Sequence, residues 1–323
     1  MTRKRCSDFL VASCTEDGGV YCYRLYDDGY IEKTGKIPLE KPMYLAKDNG
    51  RFFAVLRSPF KENDHSGIVS FDIESNRVLC EPFSTNGEVG CHIAVDGDEI
   101  FCANYIGGNI FKFPSKSVFH TGSGTDKERQ TAPHPHSAVL SPDKRFLLSC
   151  DLGLDKVFVY DRDLNFVSAT SVPNGVGPRH LLFSKNGNFV YCANEMGGSV
   201  SIFYYENGTL DYVRTVSVLP DGYLSGACAA IKLSPSGSLL YVTERRSQTI
   251  VTLSANGDDI SVLSRTECHG EEPRDFTLLA NGLFAVCTNQ FSGNVALFKI
   301  GEDGIPYYLN GFDIPAPLCA IEK

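Results

Sequence analysis

The residues able to do chemistry in this 323-residue sequence fall into two columns, each holding comparable points of a recurring pattern. The first contains Tyr44, His92, His136, Arg179 with His180, Ala229, Arg274 with Asp275, and Cys319. The second contains Cys14, Arg57, Asn104, Asp151, Asn194 with Glu195, Glu244 with Arg245, and Asn289. A purely structural position in a repeat should converge on one residue type. These columns instead mix Arg, His, Asp, Glu and Asn, which are expensive to gather unless they bind something polar. Arginine forks grip carboxylate or phosphate through paired hydrogen bonds, and a carboxylate or imidazole beside them can activate water or move a proton. Glu195, His136 and Arg179 are therefore the candidate catalytic groups. Arg245, Arg274, His180, Asp151 and Asn104 are the candidate substrate-binding groups. The ligand expected is a small, anionic, hydroxyl-rich molecule. The competing reading is a set of ion pairs bridging neighbouring sheets.

Other constellations are poorer. His134-Pro135-His136 lacks a partner cluster, so no metal or other cofactor is expected. The twelve cysteines include no Cys-x-x-Cys pair, which removes the usual structural zinc spacing. Cys102, Cys192 and Cys287 lie in apolar stretches where a thiol packs as a small hydrophobe. Cys268-His269 would point to opposite faces of a strand, and Asn207-Gly208-Thr209 reads as a turn. Gly107-Gly108, Gly197-Gly198 and Ser292-Gly293 suit hairpin turns rather than phosphate-cradling loops.

The elements that must position these side chains come from a repeat. An apolar strand, a polar turn, a β-rich strand ending in a small polar residue, a short turn and a third strand recur along the chain. Third strands open at Val20, Ile68, Ile110, Val157, Val200, Ile250 and Val295, at intervals of 42 to 50 residues. That is the ~40–50 residue spacing of four-stranded propeller blades. The expected fold is all-β, a seven-bladed β-propeller in a single domain over residues 1–323. The first unit lacks an opening strand, and PAPLCAIEK near the other end resembles the opening strands KPMYLA and GPRHLLF. The N-terminal blade should therefore be completed by the C-terminal strand, which removes the open edges. Residues 114–137 break the repeat and read as a structureless loop lying over the funnel. The chain has no Trp, so it is not a WD40 propeller.

The net charge of −9 argues against nucleic acid or an anionic membrane as partner. No apolar run reaches membrane-spanning length, and MTRKRCSDFL is not followed by a signal-type apolar core. A reduced, cytoplasmic protein is expected.

Three strings carry a family resemblance: ERQTAPHPHSAVLSPDKRFLLSCDLGLDKVFVY, GVGPRHLLFSKNGNFVYCANE and EPRDFTLLANGLFAVCTNQFSGNV. They resemble lactonase-type seven-bladed β-propellers, which include propeller 6-phosphogluconolactonases and the fungal carboxymuconate cyclase. The resemblance implies that His136, Arg179, Glu195 and Arg245 surround a central cleft, binding substrate and transferring its proton. Asn104 and Asp151 also match family positions. Glu244 stands where the family more often has Asn, adding a negative charge near the cleft. The implied activity is hydrolysis of a sugar lactone, 6-phosphogluconolactone or a relative, with Glu195 or His136 as general base. The alternatives are a cycloisomerase of a muconate-type dicarboxylate and a non-catalytic propeller that binds a sugar acid or a partner.

Overall fold

The innermost strands of the molecule carry its symmetry. Pro317–Glu322, Pro42–Asp48, Gly90–Asp96, Val139–Leu140, Pro178–Phe183, Cys228–Leu233 and Pro273–Leu279 each open one of seven antiparallel sheets. The computed structural model describes residues 3–57 and 64–323, and among these there is no helix. The seven sheets are the blades of a β-propeller. Blade 1 takes its inner strand from the end of the chain: Leu10 of Arg5–Ser13 pairs with Cys22 on one side and Ile321 on the other. Blades 2 to 7 follow in sequence order.

Burial explains why these strands form. The second strands Glu99–Asn104, Phe189–Asn194, Leu239–Glu244 and Phe284–Asn289 are covered on both faces, as their unbroken apolar runs require. The outer strands Phe166–Ser171 and Val262–Glu267 instead alternate in exposure with the period of two of a half-solvated strand. Tyr191, Tyr241 and Phe101 fill the space between sheets, each aromatic contributing ~1.5–3 kcal/mol of burial. The Tyr191 hydroxyl keeps a partner by donating to Gly257 O at 2.8 Å.

One irregularity recurs. Between the first and second strands of most blades the register slips by one residue at the channel end. Met43, Cys91, Arg179, Arg274 and Leu318 are the extra residues of blades 2, 3, 5, 7 and 1. A bulge of this kind re-aims a side chain, and here it turns one residue per blade toward the axis.

The segment 114–137 is more ordered than its sequence suggests. Lys116–Phe119 is the outer strand of blade 3, paired with Asn109–Lys112. Beyond Phe119 the chain is pinned from below. His120 Nδ1 donates to Asp151 Oδ2 at 2.6 Å, and the Tyr160 hydroxyl donates to His120 Nε2 at 2.7 Å. Gln130 is fully buried and donates to Leu152 O at 2.8 Å. The twelve cysteines are all free thiols, and nine are buried. No helix of the described residues is long and apolar enough to cross a membrane.

Candidate active site

A cavity of about 490 Å³ opens at the end of the axis where the inner strands begin. Five arginines line it, Arg57, Arg129, Arg245, Arg246 and Arg274, against two carboxylates, Glu195 and Glu272. The excess of three positive charges stands inside a chain of net charge −9. Tyr105, His136, Met43 and Cys91 complete much of the wall.

Glu195 is the centre of the charge arrangement. It is 6% exposed. Arg129 Nη2 lies 2.6 Å from its Oε1, while Arg179 Nε at 3.1 Å and Arg245 Nη2 at 3.0 Å approach its Oε2. Burial alone would raise its pKa. Arg245 and Arg179 outweigh that, helped by His136 and Arg129, and hold the carboxyl well below the ordinary range. Arg179 sits one layer deeper, 3% exposed, and donates through Nη1 to Ala229 O at 2.7 Å. Burial, with Arg274 and Arg245 nearby, draws its pKa down to about 9 against the pull of Glu195, so it stays charged at neutral pH. Arg245 also pairs with Glu272 at 2.7 Å and donates from Nε to Ala227 O at 2.8 Å.

His136 has a different environment. It is 4% exposed, lines the cavity, and its Nδ1 is buried without a hydrogen-bond partner. Burial and the charge of Arg179 push its pKa well down, with Glu195 opposing, so the ring is neutral at physiological pH. Below it the axis narrows to a constriction of about 10 Å³ among Met43, Tyr44, Cys91, His136, Arg179, His180, Arg274, Asp275 and Leu318. The rings of His136 and His180 lie 5.2 Å apart, those of His180 and His92 5.1 Å, and those of His92 and Tyr44 4.3 Å. Beyond the constriction a second cavity of about 530 Å³ opens at the far ends of the inner strands, with Lys47, Lys232, His92 and His180 in its wall.

Of the residues expected from the sequence, Glu195, His136, Arg179, Arg245 and Arg274 meet around the first cavity and the constriction below it. His180 lies between the two cavities. Asn104 and Asp151 are not brought to either. Both are fully buried inside their blades. Asn104 donates to Thr85 O at 3.0 Å and accepts from Thr85 Oγ1 at 2.8 Å. Asp151 accepts from His120 and from the backbone of His134 and Leu154. Asn194, Glu244 and Asn289 occupy the same strand-end position; Asn194 bonds within its own blade, Glu244 to the turns beside it, and Asn289 to Cys268 O on the connection entering its blade, as Asn104 does to Thr85. Glu244 accepts from Ala227 N, Ser247 N and Ser247 Oγ, each at 2.6 Å, so its charge holds a turn and stays out of the cavity.

The next residue along is the one that lines the cavity: Tyr105, Glu195 and Arg245 follow Asn104, Asn194 and Glu244. That one-residue offset is the signal that would have found Tyr105 in the sequence. Arg129 and Glu272 leave no such signal, since both lie on connections outside the repeat. Among the described residues no cluster of His, Cys, Asp and Glu is placed to hold a metal ion.

Comparison with known proteins agrees with this architecture. The family model described as lactonase, 7-bladed beta-propeller, matches residues 8–320. A 6-phosphogluconolactonase of Bacillus subtilis is 26% identical over 338 aligned residues, covering 96% of each chain. An uncharacterized protein of Staphylococcus saprophyticus is 30% identical, covering 90% of each. Among solved structures, a periplasmic gluconolactonase of Pseudomonas aeruginosa superposes with a TM-score of 0.88 at 26% identity, covering 98% of both chains.

Proposed function

The chain belongs to the seven-bladed β-propeller lactonase family, and from that membership we propose that it hydrolyses a sugar lactone in the arginine-lined cavity, 6-phosphogluconolactone being the favoured substrate. The observation that carries the reading is the pairing of a neutral imidazole, His136, whose Nδ1 has no hydrogen-bond partner, with a charged knot: buried Glu195 held by the buried Arg179 and Arg245 and the half-exposed Arg129.

In this scheme His136 is the general base. It takes a proton from water as the oxygen attacks the lactone carbonyl carbon. The carbonyl oxygen gains negative charge, which the guanidinium groups of Arg179 and Arg245 offset. Donors placed where charge develops are worth ~3–4 kcal/mol in such chemistry. Collapse of the tetrahedral adduct breaks the bond from carbonyl carbon to ring oxygen. The imidazolium returns its proton to the departing oxygen, giving the hydroxy acid. Glu195 is less suited to the base role, because three arginines at ion-pair distance hold its pKa well down and make it a weak base. Its work is to position Arg179, Arg245 and Arg129 and to stabilise the transient imidazolium.

Replacing His136→Ala tests the assignment. Acid release from 6-phosphogluconolactone should slow by about 10²–10⁴ in kcat with KM little changed. A kcat within threefold of the parent would remove His136 from the mechanism.

A further inference from the structure

The guanidiniums of the cavity are not equivalent. Arg129 is committed to Glu195, and Arg179 to Glu195 and Ala229 O. Arg245 is divided between Glu195, Glu272 and Ala227 O, and Arg246 donates to Ser225 Oγ. Arg274 differs. It is the bulged residue of blade 7, it lines both the cavity and the constriction, and its side chain makes no hydrogen bond or ion pair among the described residues; Arg57 likewise has no ion pair among them, but it is exposed and stands away from the constriction. Burial, followed by the charge of Arg245, pulls its pKa down, while Glu195 and Glu272 act on it only from beyond contact distance.

A partly buried cation beside a second cation is unfavourable unless an anion completes it. The protein places none in contact with it, which leaves that position to an anion of the ligand. A neutral lactone would leave Arg274 without a partner, because ring opening creates a carboxylate only in the product. A phosphate monoester carries its charge before, during and after the reaction, and its oxygens fit the guanidinium fork. A dianion also answers the surplus of three positive charges in the wall better than a monoanion does.

We propose that Arg274 is the specificity-determining residue of the cavity: it binds the phosphate monoester of a phosphorylated sugar lactone and selects such lactones over unphosphorylated ones. For the reaction this rests on the lactonase reading, but anion recognition can be measured without turnover.

The test is calorimetric binding of 6-phosphogluconate and gluconate to the full chain, its Arg274→Gln variant and its Arg274→Lys variant, with thermal unfolding recorded for each. The parent should bind 6-phosphogluconate at least tenfold more tightly than gluconate. Arg274→Gln should weaken 6-phosphogluconate by about 30- to 1,000-fold, the range for truncating one partner of a buried charge pair, and bring the preference close to unity. Arg274→Lys should keep part of the preference, since the charge remains and the fork is lost. A parent that binds both acids alike overturns the proposal, as does a folded Arg274→Gln that keeps the preference. Should Arg274→Gln fail to fold, a preference undiminished in Arg274→Lys overturns it equally. Lactone turnover, measured separately, keeps the two readings apart. A preference lost in the variants of a protein that opens no lactone removes the hydrolase and leaves the phosphate site. Turnover without any phosphate preference does the reverse.

Discussion

The two ends of the propeller axis offer nearly the same room, about 490 and 530 Å³, and very different chemistry. At the far end Lys232 is answered by Asp275 at 3.3 Å, and much of the remaining wall is aliphatic, with Leu181, Leu182, Ile231 and Leu278. At the near end five arginines face two carboxylates. Volume does not mark the site. The distinguishing feature is positive charge left in excess in a buried setting, and it coincides with the points where strand register slips. Regular alternation at the far end sends side chains where the pleat dictates. The bulges at the near end free Arg179 and Arg274 from that rule.

This contrast can be broken experimentally. Glu195→Gln should have the largest effect, because it leaves Arg129, Arg179 and Arg245 around a neutral amide. Breaking a buried ionic group by removing one partner costs ~3–5 kcal/mol, so denaturant unfolding should show a loss of that order, with lactone opening reduced at least a hundredfold. An unfolding free energy within about 1 kcal/mol of the parent would mean that the knot is unimportant to the fold. An acid titration probes the histidines between the two ends. Burial, with help from Arg179 and Lys232, depresses His92 to about 3 and holds His136 and His180 well below their usual value. Above about pH 6.5 these rings are neutral folded or unfolded and contribute no pH dependence. Below it the unfolded chain takes up protons that the native state refuses, so stability falls with pH at ~1.4 kcal/mol per unit for each ring. Chemical denaturation between pH 4 and 7 should show this slope, and His92→Gln should remove about one proton's share. A flat profile would show that the rings are hydrated and titrate normally. The smallest kinetic effect is expected at the far end: Lys232→Met should change lactone kcat/KM by under threefold while costing ~1–3 kcal/mol of stability, because Asp275 stays buried with only backbone donors. A larger kinetic loss would make the far cavity part of the working site.

The blades were legible because an open-edged sheet repeated seven times leaves a strong trace of turns and doubly buried strands. The similarity of KPMYLA, GPRHLLF and PAPLCAIE, which marked the closing strand, also marks the bulge: Met43, Arg179 and Leu318 each follow a proline. The cavity was legible where its residues ride on that repeat, as with Arg179, Arg274, Glu195 and Arg245. Asn104 and Asp151 misled because a polar residue at a strand end has two possible duties, and sequence spacing does not separate them. Bonding to buried polar groups of the blade or of the connection that enters it is the commoner one, and Asn104, Asp151, Asn194, Glu244 and Asn289 all use the position in that way. Arg129 reaches Glu195 from a connection with no counterpart in other blades. Its path depends on the His120–Asp151 and Gln130–Leu152 bonds, which join residues too far apart in sequence to read as a pattern.

The narrow waist between the two ends, about 10 Å³, is close to the least space that holds a single water. In the proposed reaction, a sugar acid formed above it would have no back door. It would leave through the doorway its precursor used, past the same arginines and with one more negative charge than it brought in. Clearing the chamber is then an outward journey against electrostatic attraction, so accumulated acid should occupy the doorway and compete with each new arrival.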